Sequence, residues 1–304
     1  MRKLDKISKN DVTIVLPTLN EEKAIGLVID ELRKEGYNNI IVVDGYSSDK
    51  TVEIARSKEV KVIFQKGKGK NKAIKTAVKY VKTPYIVVMD ADYTYPAKYI
   101  DKLIELAEEY DEIIGARIYG RKNIPLINRF GNKILDITFN LLFGTNLKDV
   151  CSGMYLIKTN IARSINYEMS GFSLEVELAA HVASTTNKIT DIPIKYRKRK
   201  GEPKLGKKHG FTILKDIIRL TWRYNPTFFI MIMGSIIIIP ALIILSWVAI
   251  ELIFFGIKHH VWAILGSTMA TAGITSLTLA ILSLYLKRME YRLLRYIRKT
   301  THRE

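Results

Sequence analysis

Tyr85-Ile-Val-Val-Met89 runs straight into Asp90-Ala-Asp92. The first five residues are apolar and rich in β-branched side chains, the pattern of a buried strand. A strand that ends at a crevice is where an open α/β sheet places its ligand. Two carboxylates one residue apart suit a hard divalent cation that holds a phosphate. Taken alone, the triplet also fits a solvated surface turn, so its surroundings decide.

Working outward, strand and helix patterns alternate. Val12-Thr-Ile-Val-Leu16 and Ile40-Ile-Val-Val43 are short β-rich runs, and residues 60–64 form a third. Between them, residues 21–34 carry helical periodicity with Gly36 as a stop. Residues 48–57 predict a second helix, with Ser47 or Ser48 as N-cap, and residues 72–81 a third. Strands alternating with helices of this length predict a doubly wound, Rossmann-like and mainly parallel sheet. Its ligand-bearing strand ends are then residues 17–22, 44–51, 66–72 and 90–96. Neither G-x-x-x-x-G-K-[ST] nor a G-x-G-x-x-G after the first strand is present, which argues against a P-loop and against the usual dinucleotide site.

The 304 residues hold 48 Lys plus Arg against 30 Asp plus Glu, a formal net charge of +18. That balance points to an anionic partner: nucleic acid, a membrane surface or a phosphorylated substrate. Cys151 is the only cysteine, which excludes an internal disulfide and a Cys-based zinc cluster. The polar N-terminus has no apolar stretch before Asp11 and predicts no cleaved signal peptide. Apolar residues concentrate near the other end. Residues 228–255 and 261–286 each exceed the ~20 residues that cross a hydrocarbon core. The turn between them holds His259 and His260. Lys215, Arg219 and Arg223 precede the pair, and Lys287, Arg288, Arg292, Arg295, Arg298 and Lys299 follow it. By the positive-inside rule both flanks are expected in the cytoplasm. The expected organisation is a cytoplasmic catalytic domain at 1–204, an interfacial amphipathic segment at 205–225, a transmembrane hairpin at 226–287 and a basic cytoplasmic tail at 288–304. This makes it an integral protein of the cell membrane.

Leu-Pro-Thr-Leu-Asn-Glu-Glu (16–22), Val-Asp-Gly-Tyr-Ser-Ser-Asp-Lys-Thr (43–51) and Asp-Ala-Asp-Tyr-Thr-Tyr-Pro (90–96) resemble family 2 glycosyltransferases of the GT-A fold. Within them, the chain is most similar to the synthases that load sugars onto dolichyl or polyprenyl phosphate. The likeness continues through Gly115-Ala-Arg117, residues 125–144, Asp149-Val-Cys-Ser152-Gly153 and Ile192-Pro-Ile-Lys-Tyr-Arg197. It implies a nucleotide pocket lined by Pro17, Leu19, Glu21, Asp44, Lys70 and Asp90. Asp90 and Asp92 would hold Mg²⁺ or Mn²⁺ against the donor diphosphate. Arg117 and Arg129 would bind donor and lipid phosphates, with Arg197, Arg199 and Lys204 as further candidates, and Asp92, Arg117 and Arg129 form the expected catalytic set. A solvated or headgroup-facing role is the plain alternative for each arginine. Of Glu175 and Glu177, two apart on a helix, at most one is expected to face the site.

The resemblance therefore implies metal-dependent, inverting transfer of a sugar from a nucleotide-sugar to dolichyl or polyprenyl phosphate. The partners are that donor, that lipid and the membrane, with no nucleic acid and with the hairpin as a route to a homo-oligomer. Relatives often read Asp-Asp-Gly-Ser where Asp44-Gly-Tyr-Ser47 stands here, and Thr94 takes the place of a Gln. The Asp-Gly-Tyr-Ser form of the second motif looks more like the branch that uses UDP-sugars, and weakly favours a UDP-sugar such as UDP-GlcNAc or UDP-glucose over GDP-mannose. Residues 124–143 read either as an amphipathic core helix or as an interfacial helix beside the lipid entrance, and residues 211–222 show a similar pattern. The competing readings are a membrane-anchored polysaccharide synthase, whose Q-x-x-R-W signature is missing, and a non-catalytic basic scaffold.

Overall fold

The computed structural model describes residues 7–165, 173–201 and 226–301. The chain divides into two compact units, residues 1–217 and 218–304. In the first, seven strands form one sheet in the order β3-β2-β1-β4-β6-β5-β7. β1 (Val12–Thr18), β2 (Ile40–Asp44), β3 (Lys61–Phe64) and β4 (Tyr85–Val88) are mutually parallel, as the alternation predicts. They alternate with α1 (Ile25–Lys34), α2 (Thr51–Ser57) and α3 (Lys70–Val78). Val12, Ile14, Val15 and Leu16 of β1 are all inaccessible to solvent, so this strand is covered on both faces.

β5 (Glu112–Tyr119) and β7 (Ile189–Lys195) run parallel to each other. β6 (Tyr155–Lys158) is antiparallel to both of its neighbours, β4 and β5. This reversal has a consequence for function. It brings the start of β6 to the same sheet edge as the carboxyl ends of the other six strands. The segment 149–153 thereby arrives beside Asp90.

Two helix starts lie later than periodicity predicts, and both shifts come from side-chain hydrogen bonds. Residues 21–24 form a turn because the Glu21 N–H donates to Thr51 Oγ1 at 2.7 Å, and α1 begins only at Ile25. Ser47 and Ser48 do not cap α2. Ser47 donates to Asp44 and Ser48 to Asn20, which leaves Asp49 to receive the Thr51 N–H at 3.0 Å.

α4 (Ile100–Ile104) and the short α6 (Thr159–Ser164) complete the layers with α5 (Leu126–Phe143) and α7 (Ser173–Thr185). α5 starts after Pro125 and stops at Gly144, whose φ of 65° is the left-handed C-cap geometry. It buries Leu135, Phe139 and Leu142 while leaving Leu126, Ile127, Phe130, Ile137 and Leu141 more than half exposed.

The second unit holds α8 (Pro226–Phe255) and α9 (His260–Thr301). Residues 229–255 and 260–283 are each long and apolar enough to cross a membrane. The two helices approach closely where glycines of α9 face larger residues of α8. A Cβ on Gly273 would lie 2.7 Å from Ile238 Cβ, and one on Gly266 2.9 Å from Leu245. Thr227 Oγ1 donates to Ser283 Oγ at 2.7 Å near the far end. Such close approach of small residues is how helices associate in lipid, where apolar burial gives no drive. Residues 202–225, which include Lys204 and the expected interfacial segment, lie outside the described residues.

Candidate active site

The loop after β1 is fixed by its neighbour. The Asn20 N–H donates to Ser47 Oγ at 2.8 Å, and the Ser48 N–H returns to Asn20 Oδ1 at 2.8 Å. Both Asn20 and Tyr46 have positive φ, 50° and 68°. Asp44 is fully buried beneath them. Its Oδ1 accepts the Ser47 N–H at 2.8 Å, and its Oδ2 accepts the Ser47 hydroxyl at 2.6 Å and Thr18 Oγ1 at 3.3 Å. Asp44 thus builds the crevice floor rather than presenting a carboxylate to it. Leu19 is exposed, and Tyr46 stacks on Phe64 with ring centroids 5.4 Å apart.

The two aspartates at the end of β4 sit in different surroundings. Asp90 stays partly open, with its side chain 31% exposed. Its Oδ1 accepts Lys70 Nζ at 2.6 Å, and the same ammonium donates to Glu175 Oε1 at 2.6 Å. Asp92 is buried. Its Oδ1 accepts from the Thr94 N–H at 3.1 Å and the Thr94 hydroxyl at 2.5 Å, and its Oδ2 accepts Arg199 Nη1 at 3.0 Å. Thr94 thus steadies Asp92. Arg199 also donates to Glu21. Burial pushes the Asp92 carboxyl above the usual range and the Asp90 charge adds to this, against Thr94 and Arg199. For Lys70, burial favours loss of the proton, but the charges of Asp90 and Glu175 outweigh it and hold the ammonium form. Gly153 faces Asp90 from the start of β6, and any Cβ there would collide with the carboxylate. The Gly153 N–H donates to Tyr95 Oη at 2.8 Å, which locks that approach.

Of the expected site residues, the structure places Lys70 with Asp90 and Arg199 with Asp92 and Glu21, two ion-paired groups that meet through the charges of the two aspartates. It adds Glu175, and so separates the two acids of α7: Glu175 reaches the site through Lys70, whereas Glu177 is wholly buried. The phosphate-binding role expected of two arginines does not match their surroundings. Arg117 is 7% exposed and clasps Asp149, Nε to Oδ2 at 2.6 Å and Nη2 to Oδ1 at 2.8 Å, with a further bond to Cys151 O. Arg197 clasps Glu31 at 2.6 and 2.9 Å and lies 4.7 Å over the Tyr93 ring. Paired forks of this kind have few donors left for a phosphate. Arg129 differs: it is half-buried on α5, and its buried Nε has no hydrogen-bond partner among the described residues. Cys151 is buried, and desolvation pushes its thiol up, so it is an inert packing residue.

No group of three or more His, Cys, Asp and Glu able to hold a metal occurs among the described residues. Asp90 and Asp92 are the pair that fits one. They offer hard oxygens at the mouth of a crevice, in the donor set that Mg²⁺ or Mn²⁺ takes when substrate phosphates complete the shell. The missing Cβ of Gly153 leaves room for the Asp90 carboxylate itself.

Residues 13–165 match the model of glycosyl transferase family 2. The chain belongs to that family. It is therefore a glycosyltransferase with a GT-A catalytic fold. It is 30% identical to the glycosyltransferase AglJ of Haloferax volcanii over 279 residues, which cover 90% of this chain and 92% of that one. It is 35% identical to a dolichyl-phosphate hexose transferase of the same organism, over 69% of this chain and 94% of the relative. Among solved structures, glucosyl-3-phosphoglycerate synthase from Mycobacterium tuberculosis, in complex with Mn²⁺, UDP-glucose and phosphoglyceric acid, superposes with a TM-score of 0.58. It is 20% identical and covers 70% of this chain and 79% of that one, a likeness of fold.

The motif order made Glu21, Asp90, Asp92 and Lys70 legible in the sequence. The Lys70–Glu175 and Arg199–Glu21 pairs were not, because their members lie 105 and 178 residues apart. Glu175 was a candidate from the acidic pair at 175 and 177, but no local pattern tied it to Lys70. Nothing marked Asp149 as the partner of Arg117.

Proposed function

We propose that this glycosyltransferase moves a hexose from a nucleoside diphosphate sugar, a UDP-sugar in preference to GDP-mannose, onto dolichyl or polyprenyl phosphate at the cytoplasmic face of the cell membrane. The observation that carries this reading is the presence, in one chain, of the Asp90/Asp92 crevice and two helices of membrane-crossing length. The hexose transferase relative is named for dolichyl phosphate, and the solved structure that shares the fold holds a UDP-sugar with Mn²⁺.

The acceptor needs no strong base, since a lipid monophosphate is already anionic near neutral pH. The protein's task is to hold it behind the sugar carbon while the diphosphate leaves, so that one in-line displacement inverts the anomeric centre. Asp90 and Asp92 would hold a divalent ion, which when bound supplies Lewis-acid neutralisation of the leaving diphosphate. Lys70 and Arg199 add fixed positive charge beside it. Arg129, which forms no carboxylate fork among the described residues and stands on α5, is the arginine proposed for the acceptor phosphate. Its helix α5 carries the exposed Leu126, Ile127, Phe130 and Leu141, a face suited to the headgroup boundary where a polyprenyl tail remains anchored. The cytoplasmic orientation rests on the basic flanks of the two apolar helices.

The test is product identity. Purified full-length protein in lipid, with dolichyl phosphate and a panel of nucleotide-sugars, should yield a lipid monophosphosugar and a nucleoside diphosphate. A nucleoside monophosphate with a lipid diphosphosugar would mean sugar-phosphate transfer and would overturn the mechanism.

A further inference from the structure

The free site is already full of cations. Glu21, Asp90, Asp92 and Glu175 place four carboxylates around the crevice, and two cations thread them: Lys70 joins Asp90 to Glu175, and Arg199 joins Asp92 to Glu21. Each aspartate of the pair therefore already has a positive partner.

The two cations are not equivalent. Arg199 forks across buried Asp92 and buried Glu21 with separate nitrogens. Lys70 uses a single point charge, on a flexible stem, against the more exposed aspartate. It is also the first residue of nine-residue α3, after Gly69 at φ 97°. The loop before it is fixed: Gln65 Nε2 donates to Gly67 O at 2.8 Å and the Lys66 N–H to Thr76 Oγ1 at 2.9 Å. The backbone of the loop is thus held while the side chain can pivot. At the N-terminus of a helix, an incoming diphosphate meets the positive end of the helix dipole and the Lys70 ammonium together.

We propose that Lys70 is an exchangeable counter-ion that makes metal entry depend on donor binding. In the free enzyme its ammonium sits on Asp90 and Glu175 and keeps a divalent ion off Asp90 by charge repulsion. An arriving nucleoside diphosphate draws the ammonium onto its phosphate oxygens, and the carboxylate of Asp90 becomes free to take the ion. No covalent bond changes; one ammonium exchanges a carboxylate partner for a phosphate partner. The inference rests on the donor-site reading given above, and it assigns to that site an order that the reading does not contain. Linkage requires the coupling to be reciprocal: Mn²⁺ must raise UDP affinity by the factor by which UDP raises Mn²⁺ affinity. Shared coordination gives some coupling in any case. The part due to Lys70 is the part lost on removing its charge.

The experiment measures Mn²⁺ binding to the full-length protein by electron paramagnetic resonance, with and without UDP. The variants Lys70→Met and Lys70→Arg are compared with wild type, their folding checked by circular dichroism. The expected result is that Lys70→Met binds Mn²⁺ alone about tenfold more tightly than wild type does. It should also bind UDP about tenfold more weakly, so that the coupling factor shrinks. Lys70→Arg, which keeps the charge, should hold Mn²⁺ alone at the weak wild-type level. If Lys70→Met leaves the affinity for Mn²⁺ alone unchanged or weaker while wild type still binds UDP, the exchange is overturned and the donor-site reading stands. If wild type binds UDP and Mn²⁺ neither singly nor together, both fall. Should Lys70→Met fail to fold, Lys70→Gln is measured in its place against the same criterion.

Discussion

The sheet of the catalytic unit and the two-helix unit use the same apolar residues in opposite ways. Ile14 and Leu16 of β1 are fully buried, whereas Ile243, Ile253 and Phe254 of α8 are 65%, 73% and 75% exposed. Burying one such side chain stabilises a protein in water by about 1.5–3 kcal/mol. α8, which leaves this many uncovered, is also long and apolar enough to cross a membrane. α5 lies between the two cases. One face packs Leu135 and Phe139 into the catalytic unit, and the other presents Leu126 and Phe130 outward. The difference shows that apolar content alone says little about where a segment sits. The continuity of apolar residues around the helix is the more telling quantity.

The largest change in stability is expected from a polar group inside the catalytic unit. Arg117→Met would leave Asp149 buried without its partner, and loss of one side of such a pair typically costs about 3–5 kcal/mol. Thermal unfolding should show the drop. A variant that unfolds like wild type would mean that Arg117 is not structural and is available to a phosphate.

The next expectation separates the two units directly. Ile14→Ala should destabilise the catalytic unit by roughly 2–4 kcal/mol, since it opens a cavity in a packed core. Ile243→Ala, on an exposed face, should leave the same transition within about 0.5 kcal/mol of wild type. Equal effects would contradict the division into a water-packed and a lipid-facing unit.

A third expectation concerns Asp136, on the inner face of α5. Burial raises its carboxyl to about 7, helped by the Asp149 charge and opposed by the Val150 N–H, Lys133 and Arg117. The folded protein then holds a proton that the unfolded chain releases near pH 4. Between those values the folded state binds more protons, so stability falls as pH rises from about 4 to about 7 and levels off above it. Between pH 5 and 7 the loss should be roughly 2 kcal/mol. Asp136→Asn should flatten that slope, and an unchanged slope would assign it to other groups.

The smallest effect on stability belongs to the outer face of α5. Phe130→Ser with Leu141→Ser should leave unfolding within about 0.5 kcal/mol of wild type, yet raise the KM for a long-chain polyprenyl phosphate several-fold. If the KM is unmoved, this face does not meet lipid.

Strands β1 to β4 and the three helices between them were legible because each is a local pattern with a strong period. β6 was not, because four residues between a Gly turn and a helix carry little pattern of their own, and its antiparallel direction depends on its two neighbours. The D-x-D pair was readable from its place after a strand. The carboxylate partners of Arg117 and Arg197 were not legible for a physical reason. A guanidinium that binds phosphate and one that binds a buried carboxylate look alike in sequence, and only the fold brings Asp149 and Glu31 to them. Arg129 differs from both in having a buried nitrogen left unpaired among the described residues.

The most direct test of the account is sugar transfer to dolichyl phosphate by Asp92→Asn, compared with wild type at matched folding. The substitution keeps the side chain's shape and replaces a carboxylate already strained by burial, so the unfolding transition should stay or rise slightly. Transfer should fall by about 10³-fold or more, and chelation of divalent ions should do the same to wild type. Near-normal transfer by Asp92→Asn, or by wild type in excess chelator, would contradict the assignment of the Asp90/Asp92 crevice as the catalytic centre.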